Sequence, residues 1–533
     1  MLFNSYEFIF LFLPITLLVF FKLGGRGYDR VALGWLVIAS LFFYGWWNPS
    51  YLALIIISML FNYGVGFILG QHFTLPPSSR KGLLIAGLAV NLSLIGYFKY
   101  ANFLVSSIPV PPVTALLNSY FRLDNIVLPL AISFFTFQQI AYLVDAYHGR
   151  AKELNFLKYC LFVSFFPQLI AGPIVHHTEI IPQFNKRLTY RFSREDFAVG
   201  LTIFSMGLFK KVVFADSIAV YATPVFANAA QGMPLTFFEA WGGALAYTLQ
   251  LYFDFSGYSD MAIGAARMFG IKLPINFDSP YKAVSIIDFW RRWHITLSDF
   301  LRDYLYIPLG GNRKGQFRRY LNLLITMLLG GLWHGAGWTF VIWGGLHGIY
   351  LIINHQWHAF WRSLGHDLSK SGWWSQLIGR TVTFLAVLVA WVIFRAESLD
   401  AAIAVLAGMV GANGVVIAAS LQPFLQPIAP FLTSFGVQFL SEATLGRSEV
   451  LMLLMLMTLT LIVWFAPNTQ EWMSQYEPVL DHRKPKAPSN WYSLFWRKLQ
   501  WQPNRLWGIA ISCIIVTCIL NLSKVSEFLY FNF

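Results

Sequence analysis

The chain alternates long apolar runs with short polar, often basic, segments. Apolar stretches at about 6 to 22, 31 to 47, 51 to 69, 83 to 98, 126 to 144, 156 to 174, 197 to 223 and 237 to 256 fill the first half. The second half offers about 320 to 345, 341 to 360, 376 to 396, 401 to 415, 449 to 466 and 505 to 521. A helix needs about 20 apolar residues to cross the hydrocarbon of a bilayer. The pattern therefore predicts an all-α, polytopic integral membrane protein with about 11 to 13 spanning or re-entrant helices. It reads as a single membrane domain over 1–533, divided into N-terminal helices (1–275), a core segment (276–360) and C-terminal helices (361–533).

Three stretches depart from the pattern. In 156 to 174, Pro167, Gly172 and Pro173 break an apolar run, and backbone freed at membrane depth needs protein or a water-filled cavity around it. That predicts a re-entrant element and a buried polar chamber. From Tyr281 to Tyr306, aromatics mix with Arg291, Arg292, Asp299, Arg302 and Asp303, which predicts amphipathic helices at the interface or dipping inward. From Asn468 to Asn504, Pro478, Pro485, Pro488 and Pro503 accompany Arg483, Lys484 and Lys486, predicting a polar linker before the last helix.

Composition agrees with the pattern. Of 533 residues, 57% are hydrophobic and 12% charged, too little charge to solvate a globular surface of this size. The net charge of +13 lies in short segments between apolar runs, where the positive-inside rule puts it, so nucleic acid is not a partner. Lys22, Arg26 and Arg30 after the first helix and Arg80 and Lys81 after the third mark cytoplasmic loops. Met1 to Phe21 has no basic residue before its apolar stretch and no small-residue cleavage site after it, as expected of a retained first helix. Cys160, Cys513 and Cys518 lie in apolar segments without CxxC spacing and predict neither a disulfide framework nor a metal site.

The residue most suggestive of chemistry is His334, in LLGGLWHGAGWTF. An ionisable group inside an apolar segment is costly, and the flanking Gly330, Gly331, Gly335 and Gly337 let a ligand or another backbone approach. His294, in FWRRWHITLSDF, is the second candidate. Two histidines converging on a cavity suit acyl transfer, one taking a proton from a hydroxyl and the other orienting the donor or steadying negative charge. Asp254 and Asp260 interrupt another apolar run and read as partners in structural ion pairs, Arg267 being one nearby option.

Other motifs carry less. YLYIPLGGNRKG spaces Gly310 and Gly315 like a phosphate loop but has Gln316 and Phe317 where Lys and Ser or Thr belong, so it is no nucleotide-hydrolysis motif. Its basic residues Arg313, Lys314, Arg318 and Arg319 could meet coenzyme A phosphates, or reflect orientation alone. His176 and His177 with Glu179, and the set His347, His355 and His358, lack zinc-ligand spacing, and no metal is assigned. GGLWHG and GGLHG are too short to form a repeat.

MLFNSYEFIFLFLP, LIAGPIV, QLYFDFSGYSDMAIG, FWRRWHITLSDFLRDYLYIPLGGNR, LLGGLWHGAGWTFVIWGGLHG and the closing FLYFNF together resemble the membrane-bound O-acyltransferase family. The resemblance is closest to the branch that O-acetylates alginate or peptidoglycan, and it runs along nearly the whole chain. It implies a multi-helix fold around a central tunnel, with His334 as the catalytic histidine and His294 as its invariant companion. It implies acetyl-CoA as a cytoplasmic donor substrate, Arg291, Arg292, Arg313 and Lys314 as candidates for its phosphates, and no bound cofactor. It also implies a bacterial inner-membrane location and a periplasmic SGNH-type transferase that completes acetylation of a polysaccharide. Two other readings stand beside it: a transporter or flippase whose ionisable groups line a path, and D-alanyl transfer to teichoic acid, which the longer C-terminal part of this chain disfavours.

Overall fold

The computed structural model describes residues 1–70, 75–107, 126–151, 155–365, 372–418, 422–434, 436–440, 449–480, 495–496, 498–522 and 528–529. The helices fall on the apolar runs. Among the described residues, five are long and apolar enough to cross a membrane: Glu7–Gly24, Ser50–Leu69, Pro77–Ser106, Arg194–Ala230 and Trp373–Arg395. Shorter apolar helices follow at Leu399–Met409, Val450–Phe465 and Arg505–Asn521. Among the described residues the strands are Val415–Ala418 and Val437–Leu440, paired in parallel with Val415 opposite Val437.

Where the apolar runs mislead, a turn residue is the cause. The run 320 to 345 is two helices, Gly315–His334 and Trp338–Ser363, because Gly335 and Gly337 both adopt extended backbone. Pro167 and Gly172 divide 156 to 174 as expected: Phe156–Ser164 ends, Phe166–Leu169 makes one short turn, and residues 170 to 175 continue buried without helix. Residues 281 to 306 form short pieces, Ile286–Trp290 and Ile295–Leu301 with a π-helical turn at Arg302–Tyr306. In the polar linker, Thr469–Trp472 is a helical turn, whereas Arg483, Lys484, Pro485, Lys486 and Pro488 lie outside the described residues.

The chain divides into two compact units, neither of them a consecutive stretch. The first holds Met1–Phe209, Gly257–Asn276 and Thr469–Asn532. Some of the polar side chains its helices bury pair with one another across helices. Asn62 and Asn91 exchange amide hydrogen bonds of 3.2 and 2.7 Å, and Ser58 donates to Gln139 at 3.2 Å. Such pairs link helices in lipid, where apolar contact alone gives no preference for helix over lipid tail.

The second unit holds Lys210–Ser256 and Phe277–Asn468. Its organising feature is the antiparallel pair Gly315–His334 and Trp338–Ser363. A Cβ on Gly331 would collide with the Phe340 carbonyl, and one on Gly344 with the Met327 carbonyl. The two backbones therefore touch where only glycine fits. Around this contact Trp343, Trp391 and Phe289 are almost fully buried.

The contact gives a test of packing. Gly344→Ala overpacks the helix crossing and is expected to destabilise by about 1–3 kcal/mol. Gly345→Ala, whose Cβ would meet only Leu328 Cδ2 at 3.4 Å, is expected to stay within about 1 kcal/mol of the parent. Thermal melts of the two variants in detergent, side by side, check this; equal midpoints would sink the packing argument.

Candidate active site

His334 is the last residue of Gly315–His334 and is 5% exposed. The helix stops there because extended Gly335 and Gly337 turn the chain, and a Cβ at Gly335 would strike the Phe340 ring. The imidazole thus sits at a helix terminus, where the backbone is no longer closed on itself. Its walls are aromatic: Trp333 at 5.0 Å between ring centroids, Trp343 at 5.1 Å and 89°, and Phe394 at 5.3 Å and 81°.

His294 comes to the same place by different means. It caps Ile295–Leu301 with φ 44° and ψ 53°, a left-handed conformation that side chains other than glycine, asparagine and aspartate rarely hold. Strain of this kind, about 1–3 kcal/mol, persists only where the surroundings enforce it. Here the enforcement is visible. Arg292 donates to Asp288 Oδ1 at 2.9 Å and to the Asp278 carbonyl at 3.2 Å, and Asp278 N–H donates back to the Arg292 carbonyl at 2.9 Å. Asn468 in turn donates to Asp278 at 3.0 Å and Ser279 at 3.1 Å.

The His294 ring is fully buried against Phe255 at 4.8 Å and Trp333 at 6.1 Å, and lies 6.5 Å from His334, centroid to centroid. Burial pushes its pKa down to about 3, so the ring is neutral at physiological pH. A neutral imidazole has one nitrogen that donates and one that accepts, which is what proton transfer or orientation of a carbonyl requires.

The expected basic residues separate into two groups. Arg292 is engaged with Asp288 and Asp278 and holds the turn that carries His294. Arg291, Arg313 and Lys314 are exposed, the last two just before Gly315–His334 begins. A group not anticipated as such forms between the helix pair: Arg319 Nη2 lies 2.9 Å from His355 Nδ1, with Arg291 and His358 within electrostatic reach of His355, and Arg362 of His358.

The carboxylates of QLYFDFSGYSDMAIG are paired, but not with Arg267. In the second unit Lys211 Nζ sits 2.7 Å from Asp254 and 2.8 Å from Asp216, with Lys211 and Asp254 buried and Asp216 partly so. In the first unit Asp260 accepts from Thr469 at 2.6 Å and Gln470 at 3.0 Å, while Arg267 pairs with Asp196 at 2.8 Å. Lys211 lies inside the apolar run 197 to 223, and a lysine in such a run was the available signal of a buried ion pair. His347 and Trp343 were also missed as parts of this site. Both lie on Trp338–Ser363, one helical turn apart, and both contact the aromatic walls.

Two buried histidines thus meet at helix ends, inside an aromatic wall of an apolar, polytopic helical chain. The sequence model of MBOAT, the membrane-bound O-acyltransferase family, matches residues 146–391, which include His294 and His334. A peptidoglycan O-acetyltransferase of Helicobacter pylori is 48% identical over 443 residues, 78% of this chain and 81% of its own. A probable alginate O-acetylase AlgI of Pseudomonas putida is 45% identical over 409 residues, 75% and 79% of the two chains. A teichoic acid D-alanyltransferase of Streptococcus thermophilus is 28% identical over 284 residues, 50% of this chain and 68% of its own. The chain belongs to the membrane-bound O-acyltransferase family, and it is an acyltransferase.

The strained cap yields a prediction that separates backbone from ring. Asparagine tolerates the left-handed region far better than alanine. His294→Asn is therefore expected to keep the parent melting temperature more closely than His294→Ala, by about 1 kcal/mol, while both lose acyl transfer. Equal melting with transfer intact in either variant would remove the assigned role.

Proposed function

We propose that this protein takes acetyl from cytoplasmic acetyl-CoA and passes it across a bacterial inner membrane for O-acetylation of an extracytoplasmic polysaccharide. A periplasmic SGNH-type transferase receives the group and completes the reaction. The observation that carries the reading is the pairing of two buried imidazoles 6.5 Å apart, in a chain nearly half identical to a peptidoglycan O-acetyltransferase. Rings at that separation can each reach a small group held between them at about 3 Å.

In this reading His334 takes the proton of an attacking hydroxyl as the oxygen bonds to the thioester carbon. The C–S bond then breaks, and the leaving thiolate recovers the proton from the imidazolium, returning His334 to its neutral form. The neutral His294 donates to the carbonyl oxygen, where negative charge gathers. Exposed Arg291, Arg313 and Lys314, together with Arg319 and Arg362, supply cations for the donor's phosphates. Arg292 contributes by holding the segment that carries Arg291.

The acceptor polymer is of the peptidoglycan or alginate class, on the strength of the relatives that share three quarters of the chain. D-Alanyl transfer has weaker support, since two similar D-alanyltransferases are only 28% and 25% identical, over 50% and 65% of this chain.

Membranes supplied with radiolabelled acetyl-CoA test the reading. His334→Ala is expected to abolish polymer acetylation while protein level and insertion persist, and full acetylation in that variant would falsify it. Arg319→Gln combined with Arg291→Gln is expected to raise KM for acetyl-CoA about tenfold or more with kcat little changed, as the loss of phosphate contacts made equally in ground and transition states requires. An unchanged KM would remove these arginines from the donor site.

A further inference from the structure

Tryptophan has only a donor on its indole nitrogen, and this fixes a tautomer. Trp290 Nε1–H donates to His347 Nδ1 at 3.3 Å, so His347 Nδ1 carries no proton and Nε2 carries the only one. That Nε2–H is buried, in a side chain 0% exposed, and has no hydrogen-bond partner among the described residues. The same holds for the indole N–H of Trp343, one turn earlier on the same face of Trp338–Ser363 and 1% exposed. Trp343 is in ring contact with both histidines, at 5.1 Å from His334 and 4.8 Å from His347.

Buried donors are satisfied in the great majority of cases, and an unsatisfied one is costly. Two of them side by side, against the ring assigned to proton transfer, call for a ligand that brings an acceptor. Acyl donors do so: a thioester and the amides of a pantetheine arm carry carbonyl oxygens and no charge, as a dry aromatic wall requires. We propose that Trp343 Nε1–H and His347 Nε2–H are donor-binding groups that hold a carbonyl oxygen of the acyl donor beside His334, with Trp290 fixing the tautomer that makes this possible. The assignment rests on the acyl-CoA reading above. It gives the WGGLHG stretch a role distinct from that of the WHG stretch: the one binds the donor, the other does the chemistry.

The test uses the full-length protein in nanodiscs, measuring equilibrium binding of labelled acetyl-CoA and the KM and kcat of its turnover. His347→Phe keeps the ring volume and removes both nitrogens; Trp343→Phe removes one N–H. Each is expected to weaken acetyl-CoA binding about tenfold, through KM more than kcat. His347→Gln, whose amide nitrogen can reach the Nε2 position, is expected to recover a substantial part of the loss.

Parent-like binding in both His347→Phe and Trp343→Phe overturns the proposal, as does a His347→Gln variant no better than His347→Phe. If His347→Phe fails to accumulate, Trp343→Phe alone decides. A lipid ester carbonyl could satisfy the same donors. If the parent's melting temperature falls when ester-linked lipid is replaced by ether-linked lipid, while acetyl-CoA binding is the same in parent and variants, the acceptor is lipid and the proposal fails. A parent protein that neither binds nor turns over acetyl-CoA defeats the donor reading itself, a result distinct from parent activity that the variants retain.

Discussion

The interruption of a helix at residues 335 to 337 is the constraint on which the site depends. Were Gly335 and Gly337 replaced by residues that continue the helix, His334 would lie within an unbroken helix, its backbone satisfied and its ring directed by helical geometry alone. Instead the chain turns in extended backbone and returns as Trp338–Ser363, and the two helices close to backbone contact at Gly331 and Gly344. This contact brings Trp343 against His334, and with it the rest of the aromatic wall. Gly331, Gly335 and Gly344 leave room that a side chain would fill, which admits the second helix against the first.

A second constraint is that polar groups inside an apolar chain must find partners at short range. Lys211 stands between Asp216 and Asp254 at ion-pair distance, Asn62 and Asn91 satisfy each other, and Asp260 is met by Thr469 and Gln470. Removing one member of such a set leaves an uncompensated buried charge or amide, which is more damaging than losing the interaction itself. Lys211 enters from a π-helical turn at Lys210–Ala215, an irregularity often found where a helix must redirect a side chain. The N–H groups of Trp343 and His347 lack such a partner among the described residues and lie together against the wall beside His334.

The histidines illustrate two ways of preparing an imidazole. His334 is placed by a helix end, His294 by a strained cap held from outside by Arg292, Asp288 and Asp278. Arg292 looked in the sequence like a phosphate ligand. In the fold it also acts as a brace, because Asp288 stands one turn before it on the chain and Asp278 is brought alongside by the turn at Ser279. Arg319, by contrast, meets His355 across the helix pair, a meeting that no spacing within either helix announces.

Period and length are local properties, so the sequence alone determined that this chain is a bundle of membrane helices, where most of them begin and end, and that proline and glycine divide the run after residue 156. Local chemistry also marked His334, because an ionisable residue in an apolar run is conspicuous wherever the run ends up; His294, set among charged residues, was the weaker signal. Only the tertiary structure decided which groups meet. Asp254 chose Lys211 over Arg267, Arg292 was paired with Asp288 and Asp278, and His347 moved from a dismissed metal set to the wall beside His334. These outcomes depend on helices far apart in sequence touching at one face, and a one-dimensional pattern records which face is apolar but not which neighbour covers it.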